Sequence, residues 1–581
     1  MPNLIQEAKQ QIHELLTASY EACAETGELP AGAVLNGTVE IPREAANGDF
    51  AANHAMTGAR ALHMAPKMIA EKLASHIELK NSWFESVEPA GPGFLNFRLA
   101  QSWYADVLKA IAASGESYGR SDDGAGKKLM VEFVSANPTG PMHMGNARGG
   151  VLGDALASVL SAVGYEVTRE FYVNDTGNQI DKFAKSIDAR YQQLILGEDA
   201  VSFPEDGYHG DDIRTLAREF RAEFGDDPLQ QSEEERLVAM AKFGLAHNIP
   251  KMRADLERYV IHYDSWFFES SLHESGFVKD TMQRLTDLGF TYEKDGALWL
   301  KTAEILADNL RRAGRSEKDI EKLDLKDDVL RRANGFYTYF AADIAYHRNK
   351  FEVRGFDKVI NIWGADHHGH VARLKGAMDA LGLDGEHRLD IVLMQLVKLL
   401  ENGEEVRMSK RTGKMISLSN LLEEISVDAA RYFFNSRPES AVEFDLELAK
   451  RQDSENPVYY VQYAHARICT LLKNLAAEGH AVPSAEEADL FCLTEDAEKD
   501  LIRQLAALPE EIRQAALNYD PSRINRFAAE LASRFHKFYT VCRIKGAEPG
   551  VLEARLFLAD SVRKVLENAL GIIGVSAPEK M

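Results

Sequence analysis

The sequence predicts an α/β protein in which a doubly wound parallel sheet with inserted segments lies between an N-terminal α+β domain and a C-terminal all-α helical bundle. Two strand–loop–helix–strand patterns, at residues 129–173 and 357–400, predict the sheet. The bundle is predicted because strand patterns end at about residue 440, whereas long amphipathic patterns continue. A chain of 581 residues has room for two or three domains.

The N-terminal domain is predicted to span residues 1–110. A helical pattern opens it, the turn "GDFAAN" leads into one amphipathic helix, and "EPAGPGFLNFRL" indicates a strand after a Gly/Pro turn. Residues 113–128 are rich in Gly, Ser and Asp and indicate a linker. This segment is not a phosphate-binding P-loop, because Ser121 replaces the required first Gly and Lys128 replaces the required Ser or Thr.

The sheet domain is predicted to span residues 125–435. Ligands of such sheets bind at the carboxyl ends of the strands, and the first of these ends carries "SANPTGPMHMGNARGG". The N-terminus of the helix that follows favours an anion, His143 can donate to a phosphate oxygen, and Gly145 leaves room beside it. The tetrapeptide "HMGN" alone is equally compatible with a loop histidine that has no function.

A second candidate is the cation-rich segment "EEVRMSKRTGK" at residues 404–414. A mobile loop of this kind could close its cations over a polyphosphate and stabilise charge during nucleotidyl transfer. The alternative is a solvated basic loop. The two segments together, in this order and flanking a split sheet, favour the nucleotide-binding interpretation.

The bundle is predicted at residues 440–581, and its segment 523–546 is both basic and aromatic. Glu530 is its only acid, and such a face can follow phosphates and stack unpaired bases. The alternative is a bundle helix with a basic edge and core aromatics. The residues concerned are Arg523, Arg526, Arg534, Lys537, Arg543 and Lys545, with Phe535, Phe538 and Tyr539 between them.

Composition limits the possible partners and location. The net charge of −23 argues against nucleic acid unless cations cluster locally. No window approaches the roughly 18 apolar residues of a membrane span, and the N-terminus lacks the pattern of a signal peptide, so we expect a cytoplasmic protein. The scattered cysteines fit a reducing compartment and argue against a cysteine zinc site. They are Cys23, Cys469, Cys492 and Cys542.

At this point the sequence resembles the class I aminoacyl-tRNA synthetases, whose HIGH and KMSKS signatures correspond to "HMGN" and "RMSKR" here. It is similar over essentially its whole length to bacterial members of the arginyl-tRNA synthetase family, through "VEFVSANPTGPMHMGNARG", "REFYVNDTGNQI", "YDSWFFES", "DGALWL", "YFAADIAYHRNK", "WGADHHGHV", "NPVYYVQYAHARI" and "LGIIGVSAPEKM". Asn146 replaces the second His of HIGH, and Arg407 and Arg411 replace the outer Lys and Ser of KMSKS. Because Asn can still bond ATP and Lys410 is retained, these departures bear on rate rather than on function.

The resemblance implies a Rossmann-like catalytic sheet, an N-terminal tRNA-binding domain and a helical anticodon-binding domain. It also implies a ligase that activates L-arginine with ATP to arginyl-adenylate and transfers the arginyl group to the 3′ end of tRNA(Arg). The first step needs no protein nucleophile, so positioning and electrostatics carry it, and magnesium arrives with ATP. The resemblance further implies arginine activation that is almost silent until tRNA binds. The sequence does not reveal the oligomeric state, and we expect a monomer.

The resemblance also implies roles for individual residues. Catalysis is assigned to His143, Asn146 and Lys410, and ATP binding to these three with Gly145, Gly364, Asp366, Met408 and Ser409. Asp343 and Glu269 are placed at the guanidinium with Tyr339 beside it, because paired carboxylates fit a guanidinium and refuse an ammonium. The remaining arginine contacts are Glu132, Ser135, Asn137, His367 and His370. The tRNA contacts are Asp49, Phe50, Asn53, Arg534, Lys537 and Tyr539.

Several of these assignments have structural alternatives. Asp343 could be a helix cap or a surface charge, Tyr339 a core aromatic, and "GDFAAN" a capped helix start. By spacing alone, Asp366, His367, His368 and His370 could form a metal site, but their position after a buried strand favours ligand contacts, and no metal site is expected. Two rival functions are a small-molecule nucleotidyltransferase, which would not need the bundle, and a catalytically silent paralogue that binds tRNA.

Overall fold

The structure is a computed structural model that describes residues 3–401, 404–405 and 417–581. The predicted α/β class is confirmed: a parallel sheet lies between an N-terminal α+β unit and a helical C-terminal region. Among the described residues, no helix is long and apolar enough to cross a membrane.

The N-terminal unit packs helices against a four-stranded antiparallel sheet of order β1-β2-β4-β3. Residues 50–52 of the predicted turn "GDFAAN" form a short strand. The predicted single helix after it is two helices, because His63 adopts φ 49° and Pro66 begins the next helix. The elements are α1 (Leu4–Glu25), β1 (Val39–Glu40), β2 (Phe50–Ala52), α2 (His54–Leu62), α3 (Pro66–His76), β3 (Phe84–Ala90), β4 (Phe94–Leu99) and α4 (Gln101–Ser114).

The predicted linker packs against the C-terminal helices. Tyr118 is buried and its hydroxyl donates to the carbonyl of Leu505 at 3.2 Å. Asn568 donates its side-chain amide to the carbonyl of Gly115 at 3.0 Å. The segment therefore connects two parts of the chain and is held by a third.

The central sheet has five parallel strands in the order β12-β11-β5-β6-β7. The chain leaves β5 toward β6 on one side and returns through β11 on the other, so the switch in strand order lies beside β5. These strands and their helices are β5 (Lys128–Glu132), α5 (Met144–Ala162), β6 (Glu166–Val173), α6 (Asn178–Leu196), α7 (Asp211–Phe224), α8 (Glu233–Arg258), β7 (Ser265–Phe268), α9 (Ser270–Glu274) and α10 (Phe277–Asp287).

An inserted antiparallel sheet of order β10-β9-β8 precedes the second half of the central sheet. Its elements are β8 (Thr291–Lys294), β9 (Ala297–Leu300), α11 (Thr302–Arg312), α12 (Glu317–Ile320) and β10 (Asp328–Arg331). The central sheet then continues with α13 (Tyr339–Arg348), a π-helical turn (Asn349–Val353), β11 (Lys358–Gly364), α14 (His368–Ala380), α15 (Gly385–Arg388) and β12 (Leu389–Met394).

Strand structure extends beyond residue 440, contrary to the prediction. β15 (Val442–Asp445) pairs in parallel with β13 (Val397–Glu401), which also pairs with β14 (Glu404–Glu405). A four-residue strand bounded by helices has too short an alternation to stand out in the sequence. The neighbouring helices are α16 (Leu418–Glu424), α17 (Val427–Phe434) and α18 (Leu446–Lys450).

The C-terminal region is helical, as predicted: α19 (Pro457–Ala477), α20 (Asp496–Ala506), α21 (Leu508–Leu517), α22 (Ser522–Val541) and α23 (Val551–Ile572). Arg431 joins this region to the sheet domain. Its buried guanidinium donates to the carbonyls of Tyr259 and Ile573 and to Oδ2 of Asp154 at 2.5 Å. Such a fully bonded buried cation holds three parts of the chain in register.

Candidate active site

The turn between β5 and α5 carries the HIGH-like residues as a reciprocal helix cap. Nδ1 of His143 accepts from the backbone N–H of Gly145 at 3.1 Å, and Oδ1 of Asn146 accepts from the backbone N–H of His143 at 3.0 Å. An accepting Nδ1 places the proton of a neutral imidazole on Nε2. A Cβ on Gly145 would lie 3.0 Å from the imidazole Cε1, so the ring occupies the space that glycine leaves. Asn146 therefore performs a cap function that its residue type suits well.

The described chain resumes at Ser417, after the other signature, and contacts this turn there. Ser417 forms a bridge with His143, and the N–H of Leu418 donates to the carbonyl of Met142 at 2.8 Å. The predicted ATP contacts Met408, Ser409 and Lys410, together with Arg407 and Arg411, lie outside the described residues. The chain that follows them is nevertheless joined to the HIGH-like turn.

Arg148, near the start of α5, is a residue that sequence reasoning did not assign. Its guanidinium is fully buried and donates to the carbonyls of Gln395, Arg437 and Ser440 at 2.6–2.8 Å. Burial lowers the pKa of Arg148 to about 10. The side chain thus joins α5 to the segments that flank β13 and β15. Most of its acceptors are backbone carbonyls that are distant in sequence, so no sequence signal could have revealed this role.

Glu269, which follows β7, is buried, with 4% of its surface exposed. Its carboxylate accepts from the hydroxyl of Tyr172 at 2.7 Å and from that of Thr176 at 3.2 Å, and Nε2 of His273 lies at 3.5 Å. Burial raises the pKa of Glu269, and the charge of Asp343 raises it further. The charge of Asp343 thus disfavours the ionised form of Glu269, and a bound cation would offset this effect.

Asp343 lies on α13, one turn from Tyr339. Its Oδ2 is 3.0 Å from Nε2 of His370. Tyr339 is half exposed, and its hydroxyl lies 3.3 Å from the position of a Cβ on Gly177, in the loop after β6. Asp343 is thus neither a helix cap nor an isolated surface charge, and Tyr339 is not a core aromatic.

The end of β5 holds the other predicted arginine contacts. Oε1 of Glu132 accepts from the hydroxyl of Ser135 at 2.9 Å. The hydroxyl oxygen of Ser135 in turn accepts from the N–H of Tyr172 at 3.2 Å. Val134 and Ser135 adopt φ 68° and 43°, an uncommon conformation for these residue types. Asn137 is exposed on the same loop. The backbone thus folds back over the strand end and directs Ser135 toward Glu132.

A buried network that the sequence did not reveal supports Glu132. Lys350, which is fully buried in the π-helical turn, donates to Oε2 of Glu132 at 2.5 Å and to Oδ1 of Asn361 at 3.2 Å. Asn361 also contacts Nε2 of His347 at 2.7 Å. Burial, and then Lys350, hold the pKa of His347 well below its usual range. The network therefore contains a neutral imidazole and one ion pair.

The predicted adenosine side lies at the carboxyl end of β11. Gly364 ends the strand, and Asp366 and His367 follow it with exposed side chains. His370 instead faces Asp343. In the described parts of the chain, no group of three or more His, Cys, Asp or Glu residues is arranged to hold a metal ion.

The N-terminal residues predicted to contact tRNA have structural partners. Phe50 is 2% exposed and packs in the core, so burial argues against stacking on a base. Asp49 accepts from the N–H of Leu99 at 2.8 Å and pairs with Arg503 at 2.8 Å. Asn53 exchanges two hydrogen bonds with Thr38 at 2.7 and 2.9 Å. These contacts hold the "GDFAAN" turn in place.

The cations of residues 523–546 are not opposed by Glu530 alone, contrary to the prediction, because other elements supply acids. Arg534 pairs with both Asp500 and Glu530. Arg523, Arg526 and Lys545 pair with Glu511, Asp520 and Glu478 at 2.9, 3.1 and 2.6 Å. Lys537 is exposed. The net positive charge of this face is therefore smaller than the sequence suggested.

The aromatic residues of α22 divide between core and surface. Phe535 and Phe538 are fully buried, whereas Tyr539 is partly exposed beneath the guanidinium of Arg467, 4.3 Å from the ring centre. Tyr463, on α19, is exposed and stacks on His536 at 6.4 Å between ring centres. An aromatic and cationic surface therefore lies between α19 and α22.

Three family models match the chain in sequence. They are described as arginyl tRNA synthetase N terminal domain over residues 6–99, tRNA synthetases class I (R), catalytic domain over 107–454, and DALR anticodon binding domain over 461–581. The second match includes β15 and α18 with the sheet.

The chain is also similar over its full length to individual proteins. It is 49% identical to an arginine–tRNA ligase of Acetivibrio thermocellus and 53% identical to one of Caldanaerobacter subterraneus, with 100% of both chains covered in each case. Among solved structures, the arginyl-tRNA synthetase of Thermus thermophilus matches with a TM-score of 0.72 at 21% identity, covering 99% of this chain and 100% of that one. This last likeness supports the fold.

Proposed function

Because the chain belongs to the arginyl-tRNA synthetase family, it activates L-arginine with ATP and attaches the arginyl group to tRNA, and we propose that it selects arginine in the pocket of Glu269 and Asp343. The observation that carries this proposal is the pair of carboxylates itself. Among the described residues, neither has a lysine or arginine within ion-pair distance. A guanidinium would supply the missing charge, which makes binding favourable where a buried carboxylate alone is costly.

The same geometry explains selection against lysine. A guanidinium presents five donors in a plane and can satisfy two carboxylates and a hydroxyl at once, whereas an ammonium has three donors around one point. The pocket is restrained, because Tyr172 and Thr176 hold the Glu269 carboxylate while His370 holds Asp343. The two carboxylates therefore cannot easily move together onto the smaller ammonium. Tyr339 would cover the aliphatic part of the bound arginine side chain.

The α-amino and carboxylate end of arginine is proposed to lie at the end of β5. Glu132 is oriented by Ser135 and pairs with Lys350, so its carboxylate can also accept from the substrate ammonium. Asn137, on the exposed part of the same loop, and His367, after β11, would contact the carboxylate that attacks ATP. These assignments bring the reacting carboxylate between β5 and β11, where the strand order switches.

ATP is proposed to bind across the HIGH-like turn as its magnesium complex, with the metal held through the phosphates. Nε2 of His143 would donate to a phosphate oxygen, with Gly145 and Asn146 beside it, and Gly364 and Asp366 would contact the adenosine. Met408, Ser409 and Lys410 would come from the segment that rejoins the described chain at Ser417. The arginine carboxylate then displaces pyrophosphate in line, so the protein contributes position and charge stabilisation.

For tRNA, we propose the family's division of labour: residues 1–110 and 440–581 bind tRNA, and 125–435 catalyse. In the C-terminal unit, the exposed Lys537 and Tyr539 with its neighbour Arg467 are better placed than the paired Arg534. In the N-terminal unit, Asp49 and Asn53 would act by holding the "GDFAAN" turn. The protein is proposed to work as a monomer, since one chain carries every surface, and in the cytoplasm, where its four free cysteines stay reduced.

The test is arginine-dependent exchange of pyrophosphate into ATP, with and without tRNA. Arginine and ATP alone should give little exchange, and tRNA with an arginine anticodon should switch it on, because the second substrate completes the pocket. Lys410→Ala should lower the tRNA-dependent rate about 10²–10³-fold while tRNA affinity is retained. Full exchange without tRNA would contradict the coupling, and equal losses in both quantities would make Lys410 a tRNA contact.

A further inference from the structure

The guanidinium of Arg373, on α14, is held by three acceptors. Its Nε donates to the carbonyl of Gly369 at 3.0 Å, and one Nη donates to Oδ1 of Asp328 at 2.6 Å. The other Nη lies 3.2 Å from Nδ1 of His370. Asp328, at the start of β10, also accepts from the hydroxyl of Thr302 at 2.9 Å. The inserted sheet therefore orients Arg373, and Arg373 contacts the histidine that reaches Asp343.

The contact between Arg373 and His370 favours one tautomer of the imidazole. A guanidinium has donors and no acceptor, so Nδ1 of His370 must accept and carries no proton. In that tautomer Nε2 carries the proton and donates to Asp343 across 3.0 Å. Phe340 and Trp363 flank the ring at 5.1 and 5.5 Å between ring centres, which fixes its plane.

The other two forms of His370 would impair a guanidinium site. A doubly protonated ring would form an ion pair with Asp343 and compete with the substrate for its charge. A ring protonated on Nδ1 would turn a lone pair toward the carboxylate and leave Asp343 without its donor. Only the form selected by Arg373 both orients Asp343 and leaves its negative charge for the substrate.

We propose that Arg373 is a positioning residue for arginine selection, which acts by keeping His370 neutral and protonated on Nε2. The proposal rests on the proposed role of Asp343 at the guanidinium. Asp328 has a smaller part, because it orients the Arg373 side chain without contacting the imidazole.

The first readout is the state of His370 itself, recorded by long-range proton–nitrogen correlation of ¹⁵N-histidine-labelled protein. The His370→Gln variant identifies the signals. Wild-type protein should show the pattern of an Nε2-protonated neutral ring. Arg373→Met should shift it toward a protonated or mixed form, whereas Arg373→Lys, which keeps a donor, should retain it.

The second readout is pyrophosphate exchange with saturating tRNA. Arg373→Met should raise the KM for arginine about 10- to 100-fold, the cost of one hydrogen bond to a charged group, with the KM for ATP unchanged. Arg373→Lys should restore most of the arginine affinity, and Asp328→Asn should show a smaller change in the same direction. Lys375→Met is the matched control, because it removes a cation of α14 that pairs with Glu386 and Asp390.

An unchanged imidazole pattern or an unchanged KM for arginine in folded Arg373→Met would overturn the proposal. Should that variant fail to fold, the same two readouts on Arg373→Lys and Asp328→Asn decide. Wild-type imidazole signals in Arg373→Lys and a raised KM for arginine in Asp328→Asn support the proposal. Altered signals in Arg373→Lys and an unchanged KM in Asp328→Asn contradict it. If Asp343→Asn leaves arginine activation intact, the proposed pocket fails regardless of Arg373. If Asp343→Asn abolishes activation while Arg373→Met changes neither readout, only the present proposal fails.

Discussion

Glu269 and Asp343 are coupled electrostatically, since burial, and then the charge of Asp343, raise the pKa of Glu269. Tyr172 opposes this rise by donating a hydrogen bond to the ionised form. The free pocket is thus strained electrostatically, and a bound guanidinium would relieve the strain.

This relation predicts that arginine binding depends on pH. A guanidinium pairs with the ionised form of Glu269, so the affinity for arginine should increase as pH rises through the raised pKa of Glu269 and level off above it. Below that pKa, arginine binding should release a proton. Glu269→Gln should bind more weakly and lose the proton release. Titration calorimetry with tRNA present and ATP absent, in two buffers of different ionisation enthalpy, measures both. Binding without proton release at any pH would show that Glu269 is not a guanidinium partner.

The cap at the HIGH-like turn predicts different effects for two replacements of His143. Asn is a good N-cap, so His143→Asn should keep the helix start while removing the donor at Nε2, and His143→Ala should lose both. Both variants should lower the rate of tRNA-dependent pyrophosphate exchange about 10²–10³-fold. Only His143→Ala should also lower the free energy of unfolding, by about 1 kcal/mol. Wild-type exchange in His143→Asn would mean that the histidine serves only as a cap.

The ion pair of Lys350 and Glu132 predicts a coupled effect on stability. Lys350→Met leaves a buried carboxylate uncompensated and should lower the free energy of unfolding by about 3–5 kcal/mol, whereas adding Glu132→Gln should recover part of the loss. Denaturant titration of the two single variants and the double variant gives the coupling energy. Additive losses would indicate that the two side chains do not act as a pair.

The salt dependence of tRNA binding should distinguish Lys537 from Arg534. Lys537 is exposed, and replacing it with Ala should flatten the slope of log affinity against log salt by about 0.7–0.9, the value for one phosphate contact. Arg534 is already paired with Asp500 and Glu530, so Arg534→Ala should change the slope less. Binding isotherms at a series of salt concentrations measure this. A larger change in slope for Arg534→Ala would show that Arg534 breaks its ion pairs with Asp500 and Glu530 when tRNA binds.

The fold could be predicted largely because its signals are local. The apolar periodicity of β5, α5, β6 and β11 lies within short windows, and the strand–turn–helix order follows from it. β15 was missed because so short a strand carries too little alternation.

The site could be predicted in part, by resemblance, because signature residues keep their types. The support around them could not: Lys350 and Glu132 are 218 positions apart, and most acceptors of Arg148 are main-chain carbonyls. Acids from neighbouring helices likewise pair with the cations of α22, and Phe50 is a core residue. Pairings of this kind depend on packing between distant segments.

The central claim is that Glu269 and Asp343 recognise the guanidinium, and tRNA-dependent pyrophosphate exchange with arginine and with citrulline tests it most directly. Asp343→Asn keeps the shape of the side chain and removes its charge. The resulting fall in kcat/KM for arginine should correspond to a loss of about 3–5 kcal/mol in transition-state binding. Its activity with citrulline, a neutral isostere, should change little, as should the arginine activity of the control Glu274→Gln, whose carboxylate is exposed on α9. Arginine activity within a few-fold of wild type in Asp343→Asn would contradict the account.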